Sequence, residues 1–328
     1  MTLDTAPNMA VRKALGVTIE TTKGTAAAPT TPINNTLVYG PGGLDAPPTL
    51  QPGRIFEGGE RTAIAAVAGQ LPPVTTVQEG VLRFRTELVS GDITATLLQG
   101  CGMMEYDPVG AVGEYQFTLD RSEHKTLSFK LWESGRAKSL YGASGQWTIL
   151  GATPAGRVFM QWEFRGLLAA TADEAMPTLV VPEATPFKTQ GHTLTFGGAD
   201  LPANPGITVT SNVSVAPRPD AGASGGVTYF MASPANAPTI AIAPEATTVA
   251  NHDPYGGLLS ATSAALAILM TDADSNTFGI DAANAQRDEV ADGVRDGNLV
   301  DEVTFGCYRT SGGGDPANGT GDQLTLTI

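Results

Sequence analysis

Several stretches of this chain combine residue types and spacings that could do chemistry. Gly222-Ala223-Ser224-Gly225-Gly226 spells the G-x-S-x-G of a hydrolase nucleophile elbow. That motif needs a strand before the serine and a helix after it, so that a strained turn presents the hydroxyl. Here Pro217, Pro219 and Asp220 precede it and the strand-like VTYFMAS follows, so it reads as a flexible turn. Asp272, Asp274 and Asn276 resemble the opening of an EF-hand loop, whose sixth and twelfth positions should be Gly and Glu. Thr277 and Ala283 stand there instead, and the match fails. His124, His192 and His252 are scattered and lack the i, i+4 spacing of a helical metal pair. A Ser/His/Asp triad can be assembled from them only on paper. The glycine-rich 311–322 lacks the Lys-Ser/Thr ending of a phosphate loop and lies between strands, so it reads as a hairpin tip. The densest charge cluster runs from Asp281 to Glu302, and two readings of it stand: a solvated loop or strand face, or a surface selected to be negative. No catalytic, cofactor-binding or metal-binding residue is assigned, and the chain is not expected to be an enzyme.

The elements that would position such groups are strands. In 157–165, Val158, Met160, Trp162 and Phe164 point one way, while Arg157, Gln161, Glu163 and Arg165 share the other side with Phe159. That period of two marks a half-buried antiparallel strand. The close repeats it, with Leu324, Leu326 and Ile328 alternating with Gln323, Thr325 and Thr327. Further strands are predicted at 81–88, 114–119, 126–132, 146–150 and 157–167, with turns at Glu133-Ser134-Gly135 and Pro154-Ala155-Gly156. A helix capped by Asp92 is predicted to carry Ile93, Leu97 and Cys101 at i, i+4, i+8 and to end at Gly100 and Gly102. After 171–190, read as a linker carrying Pro177, Pro182 and Pro186, strands restart at 192–196, 207–215 and 227–232. A helix follows over about 258–270, its buried stripe made of Leu259, Leu266, Ile268, Leu269 and Met270. Strands then fall near 277–281, 300–308 and 323–328. The first eighty residues read as mostly irregular, with a short strand at 35–39 and an extended hairpin arm over 61–79.

Bulk properties agree with a β-rich chain. At 328 residues there is room for two domains. Its 39 glycines and 23 prolines are about one residue in five, against roughly one in eight in average usage. The net charge of −14 is uneven: residues 1–187 hold 18 acids and 14 bases, residues 188–328 hold 15 acids and 5 bases. An acidic surface repels phosphate, so nucleic-acid binding is not expected, although DNA could slide past without sticking. Cys101 and Cys307 do not make a disulfide framework and are expected to pack as small apolar residues. The N-terminus lacks the apolar core of a signal peptide and no apolar run reaches the ~18 residues of a membrane span, so the protein is expected to be soluble when synthesised and used without export.

The order strand, helix, strands thus occurs twice, without an alignable residue repeat. Duplication and one larger mixed sandwich both remain open from the pattern alone. Four segments nevertheless resemble a known family: KALGVTIETTKGTAAAPT with the Pro/Gly arm after it; LRFRTELVSGDITATLLQGCGM; KTLSFKLWESGRAKSLYGASGQWTILGATPAGRVFMQWEFRGLL; and the close from NTFGIDAANAQ to the end. They are similar to the tail tube proteins of long-tailed bacteriophages, which stack as rings to form the DNA conduit.

The resemblance implies a mainly β fold of two sandwich or barrel modules, 1–187 and 188–328. Each carries one short helix, and a long arm or loop spans about 20–80. It also implies a virion protein that assembles in the host cytoplasm, with no cofactor and no membrane partner. The expected partners are copies of itself, as trimers of pseudo-sixfold symmetry or as hexamers, with the tape measure, tail terminator and tip proteins. Double-stranded DNA would cross a lumen lined in part by the acidic 281–302 region. A β-rich virion decoration or surface-binding protein is the alternative, and an esterase-like hydrolase would rest on Ser224 alone.

Overall fold

The computed structural model describes residues 13–34, 36–40, 48–56, 75–106, 113–118, 120, 122–151, 156–180, 184–201, 206–223, 226–234, 236–309 and 323–328. The first half holds β1 (Lys13–Ile19), β2 (Val38–Tyr39), β3 (Thr49–Phe56), β4 (Thr75–Glu87), α1 (Asp92–Gln99), β5 (Met103–Tyr106), β6 (Glu114–Phe117), β7 (Leu127–Glu133), β8 (Arg136–Gly151), β9 (Phe159–Leu168) and β10 (Ala172–Asp173). The second holds β11 (Thr193–Phe196), β12 (Ala199–Asp200), β13 (Ile207–Thr210), β14 (Ser214–Pro219), β15 (Val227–Ser233), β16 (Thr239–Ile242), α2 (Pro254–Leu259), β17 (Ser263–Thr271), β18 (Thr277–Arg295), β19 (Asn298–Cys307) and β20 (Thr325–Thr327). The fold is mainly β. Among the described residues, all but β14 and β15 join one antiparallel sheet.

One ladder of pairings is built twice. In the first half β3 pairs with β4, β4 with β9, β9 with β8, β8 with β7, and β7 with β1. In the second, β13 pairs with β16, β16 with β19, β19 with β18, β18 with β17, and β17 with β11. A helix follows the second strand of each ladder: α1 after β4, α2 after β16. The long strands β8 and β18 are bulged, at 141–144 and at 264/266 opposite 282–285 and 287–289. A bulge adds a residue and bends the strand, which lets each change partners along its length. The two ladders join where β13 pairs with β8.

Four expectations need correction. Residues 258–270 are not one helix: α2 ends at Leu259 and 263–271 is strand β17. Leu266, Ile268 and Met270 are buried while Leu269 is 45% exposed, a period of two. Ala, Leu and Met favour helix intrinsically, but pairing with β11 and β18 overrides that preference. Asp92 does not cap α1; Gly91 holds that position with φ 139°, and Asp92 is the first helical residue. The strand expected at 207–215 breaks after Thr210, where Asn212 turns to φ 50°, and resumes as β14 in a separate two-stranded ribbon. Finally, the first eighty residues contain β1 and the β3–β4 pairing, whereas 57–74 lies outside the described residues.

One large apolar cluster runs through both halves, and a smaller one joins Leu167 to Val227 and Phe230. Phe84, Phe129, Trp162 and Phe164 form its aromatic centre in the first, with centroids 4.7 to 6.4 Å apart; Phe196 on Phe305 at 5.1 Å answers it in the second. Cys101 and Cys307 are buried free thiols, and burial pushes the Cys307 thiol up to about 12. Glu20 is buried with its carboxylate fully used. It accepts from Gly24 N–H at 2.7 Å and from Thr126 Oγ1, Ser128 Oγ and Gly142 N–H at 2.6 Å. It ties the end of β1 to β7 and to the β8 bulge, as a buried charge must be tied if it is not to destabilise. At the close of the 171–190 connection, Phe187 is buried and backbone-bonded to Leu88 and Val158.

Candidate functional site

The two ladders lie edge to edge, and their shared sheet presents a polar face. One register row crosses it as Tyr39, Arg85, Gln161, Thr148, Thr210, Thr239, Gly306 and Gln286. A parallel row reads Phe159, Leu150, Thr208, Ala241, Thr304 and Glu289. Strand alternation sends the intervening residues, such as Trp162, Trp147, Val209, Ile240 and Phe305, into the core. Eight strand positions therefore contribute to one polar face, four from each half: β2 with β3, which share one side of β4, then β4, β9 and β8, followed by β13, β16, β19 and β18.

The charges on this face are largely neutralised by neighbours. Arg83 Nε donates to Glu163 at 2.6 Å, Arg165 to Glu79 at 3.0 Å, and Arg157 to Glu87 at 2.6 Å. Arg85 donates to the amide oxygen of Gln161 at 3.0 and 3.2 Å. Arg83 also reaches Gln51. Threonine and glutamine fill the middle. Toward the far margin, Arg295 and Glu302 line a cleft of about 320 Å³ with Thr208, Ala241 and Thr304.

The acidic stretch 281–302 is a strand pair, β18 with β19, closed by Asp296 and Gly297 at φ 49° and 87°. Two successive positive φ values define a type I′ hairpin turn. Its charges divide between the two faces. Glu289 and Glu302 stand on the polar face, and Asp288 lies over Gly306, accepting from Tyr308 Oη at 2.9 Å. Asp292 and Asp301 lie opposite one another on the other face. There Asp292 accepts from Tyr255 Oη of α2 at 2.8 Å, and the buried Asp301 sits 3.8 Å from His252 Nδ1. Burial and the charge of Arg287 hold the His252 imidazole below its ordinary value. Arg287 is buried over the Phe196 ring at 4.4 Å. Its Nε and both His252 nitrogens find no hydrogen-bond partner among the described residues.

The other candidate groups do not converge. His124 Nε2 lies 2.8 Å from Thr118 O, and His192 lies against Thr189 O. Asp272 spends its carboxylate on Asp274 and Asn276, bracing the β17–β18 turn. Ser224 and 311–322 lie outside the described residues. Among the described residues, no cluster of three or more His, Cys, Asp or Glu is arranged to hold a metal. No described helix is long and apolar enough to cross a membrane. The Arg/Glu face of β4 and β9 was legible in their alternation; the Thr row was not, because it is assembled from four strands. The hairpin turn carries a local sequence signal, the Asp296-Gly297 pair.

The face ends in two open margins. Among the described residues β3 pairs with β4 alone, and beyond Gln286, where β17 stops, β18 pairs with β19 alone. No protein-family model matches the chain, and none of the curated proteins compared with it matches.

Proposed function

We propose that this chain is a structural, self-assembling virion protein that stacks as rings to form a bacteriophage tail tube, through which DNA passes. The observation that carries the reading is the eight-strand sheet with a polar face and, among the described residues, a strand with one free edge at each margin. A bare strand edge is a template for another chain. Two different margins on one molecule make a head-to-tail contact, which closes into a ring when the rotation permits. Eight strands at ~4.8 Å span about 38 Å measured across the strands, so three copies would enclose a barrel at least ~37 Å across between backbones, and wider with strand tilt. Three such chains, each with two ladders, supply six near-equivalent positions.

The chemistry of the face suits a conduit. Duplex DNA is held by cations that displace its counterions. Here Arg83, Arg157 and Arg165 already face carboxylates, and the centre offers uncharged hydroxyl and amide groups, so phosphate gains little by stopping. In this reading the lumen is lined by neutralised pairs and by Glu289 and Glu302, rather than by the whole acidic stretch. Tape measure, terminator and tip proteins would be its partners within the tail.

Negative-stain electron microscopy of the purified protein tests the reading. Rings or tubes are expected; particles that stay single at high concentration would refute it and favour a decoration protein. In assembled material, the double change Glu79→Gln and Glu163→Gln frees two arginines and should raise retention of DNA at low salt.

A further inference from the structure

The internal join between the two ladders is a template for the join between two copies. The row Leu50–Leu82–Phe164–Gly145 in the first ladder has the same place as Val209–Ile240–Phe305–Arg287 in the second. At the end of each row the long strand meets its helix segment: Gly145 N–H donates to Gly100 O just past α1, and Arg287 lies against Gly257 of α2. Past that point β8 is free to take a new strand, and β13 fills the vacancy, with Thr210 opposite Thr148, Val209 opposite Ile149 and Thr208 opposite Leu150. β18 past the same point has no such partner among the described residues. Among the described residues β3, the counterpart of β13, pairs with no strand on its outer edge, where Pro48 O accepts from Lys13 Nζ at 3.4 Å.

We infer that β3 of one copy pairs antiparallel with β18 of the next, with Leu50 opposite Asp292, Gln51 opposite Ala291 and Thr49 opposite Gly293. This rests on the self-assembly reading and specifies its contact. The register follows by carrying the β8–β13 pairing across the matched rows, allowing for the extra residue Asp288 in the β18 bulge.

Two independent features agree with it. Val294 and Leu299 face each other across the hairpin and are 73% and 65% exposed. They continue the side of the hairpin that buries Val303 and Phe305, and the inferred register sets Pro48 beside the exposed Val294. Prolines supply the second. Ser211 N–H donates to Trp147 O at 3.1 Å, so Ile207, Val209 and Ser211 turn their backbone groups toward β8. Their counterparts are Pro48, Leu50 and Pro52. Proline is tolerated in a sheet where its missing N–H faces away from the existing partner, which puts these residues in phase with the open edge. Leu50 alone of the three keeps an N–H to donate, and that restricts the edge to few registers.

Cysteines at Gln51 and Ala291 test the register. Both positions are exposed, and the native thiols Cys101 and Cys307 are buried. The two margins are seven strand spacings apart along the sheet, about 34 Å, beyond the Cα separation a disulfide spans, so the bond forms only between copies. Under mild oxidation, Q51C/A291C protein should give a ladder of covalent multimers ending in a closed ring, while a mixture of Gln51→Cys and Ala291→Cys chains should stop at dimers. Q51C/A283C, with its cysteine on the part of β18 already covered by β17, should give none. Rings or tubes in the microscope without the 51–291 bond, or with equal bonding at 283, overturn the register and leave the assembly reading intact. Unmodified protein that shows neither particles nor higher mass at any concentration overturns both.

Discussion

Beyond its bulge, β8 hands its edge to β13, with Ile149 and Val209 buried across the join; beyond its own bulge, β18 has an edge that no strand among the described residues takes, and Asp292 stands where Ile149 does. The internal join forms once, during folding, and apolar residues suit it. The outer margin is open to a neighbour, with Gln51, Pro52 and Asp292 exposed and Pro48 buried. A carboxylate at Asp292 and prolines at 48 and 52 lower its tendency to pair with the wrong strand, a common way of blunting sheet edges. The bulge regions contrast too. At β8 the buried Glu20 accepts four hydrogen bonds, whereas at β18 nitrogens of the buried Arg287 and His252 find no partner among the described residues.

Exchanging the matched residues should produce the largest effect. Ile149→Asp places a carboxylate inside the closed join and should cost about 4 kcal/mol or more in urea unfolding. Asp292→Ile at the open margin should leave the monomer's stability within about 1 kcal/mol and raise self-association in light scattering. Similar losses for both would erase the distinction between the margins.

Next is Glu20→Ala, which strands four donors at the β8 bulge and should cost about 3 kcal/mol by thermal or urea unfolding. A loss below about 0.5 kcal/mol, the scale of a neutral surface change, would mean that the bulge does not depend on this carboxylate.

The smallest effect is the pH response of the β18 side. The folded protein disfavours protonated His252, so the unfolded chain takes up that proton first as pH falls through the ordinary value of 6.5. Acid therefore favours unfolding: stability should decline from about pH 6.5 downward until the folded imidazole also titrates. His252→Gln should flatten this part of the stability profile, and an unchanged slope would assign it to other groups.

Much of the secondary structure was legible because it is local. Alternation at Met160, Trp162 and Phe164 marks β9, and Glu133-Ser134-Gly135 marks a turn that the positive φ of Ser134 and Gly135 bears out. The misread helix at 258–270 shows the limit of composition: its Ala, Leu and Met favour helix, and only neighbouring β11 and β18 make it a strand. Of the candidate site, the charged residues of β4 and β9 could be seen, but not that Arg83 faces Glu163 or that Asp292 and Asp301 leave the side carrying Glu302.

By itself the chain's order of residues decided that this would be an antiparallel, turn-rich protein, because period-two burial and glycine turns act over a few neighbours. Only the tertiary structure decided that the ladder is built twice, that the halves share one polar face, and which edges stay bare. Strand pairing joins residues far apart in the chain, and no local pattern records which partner an edge will meet.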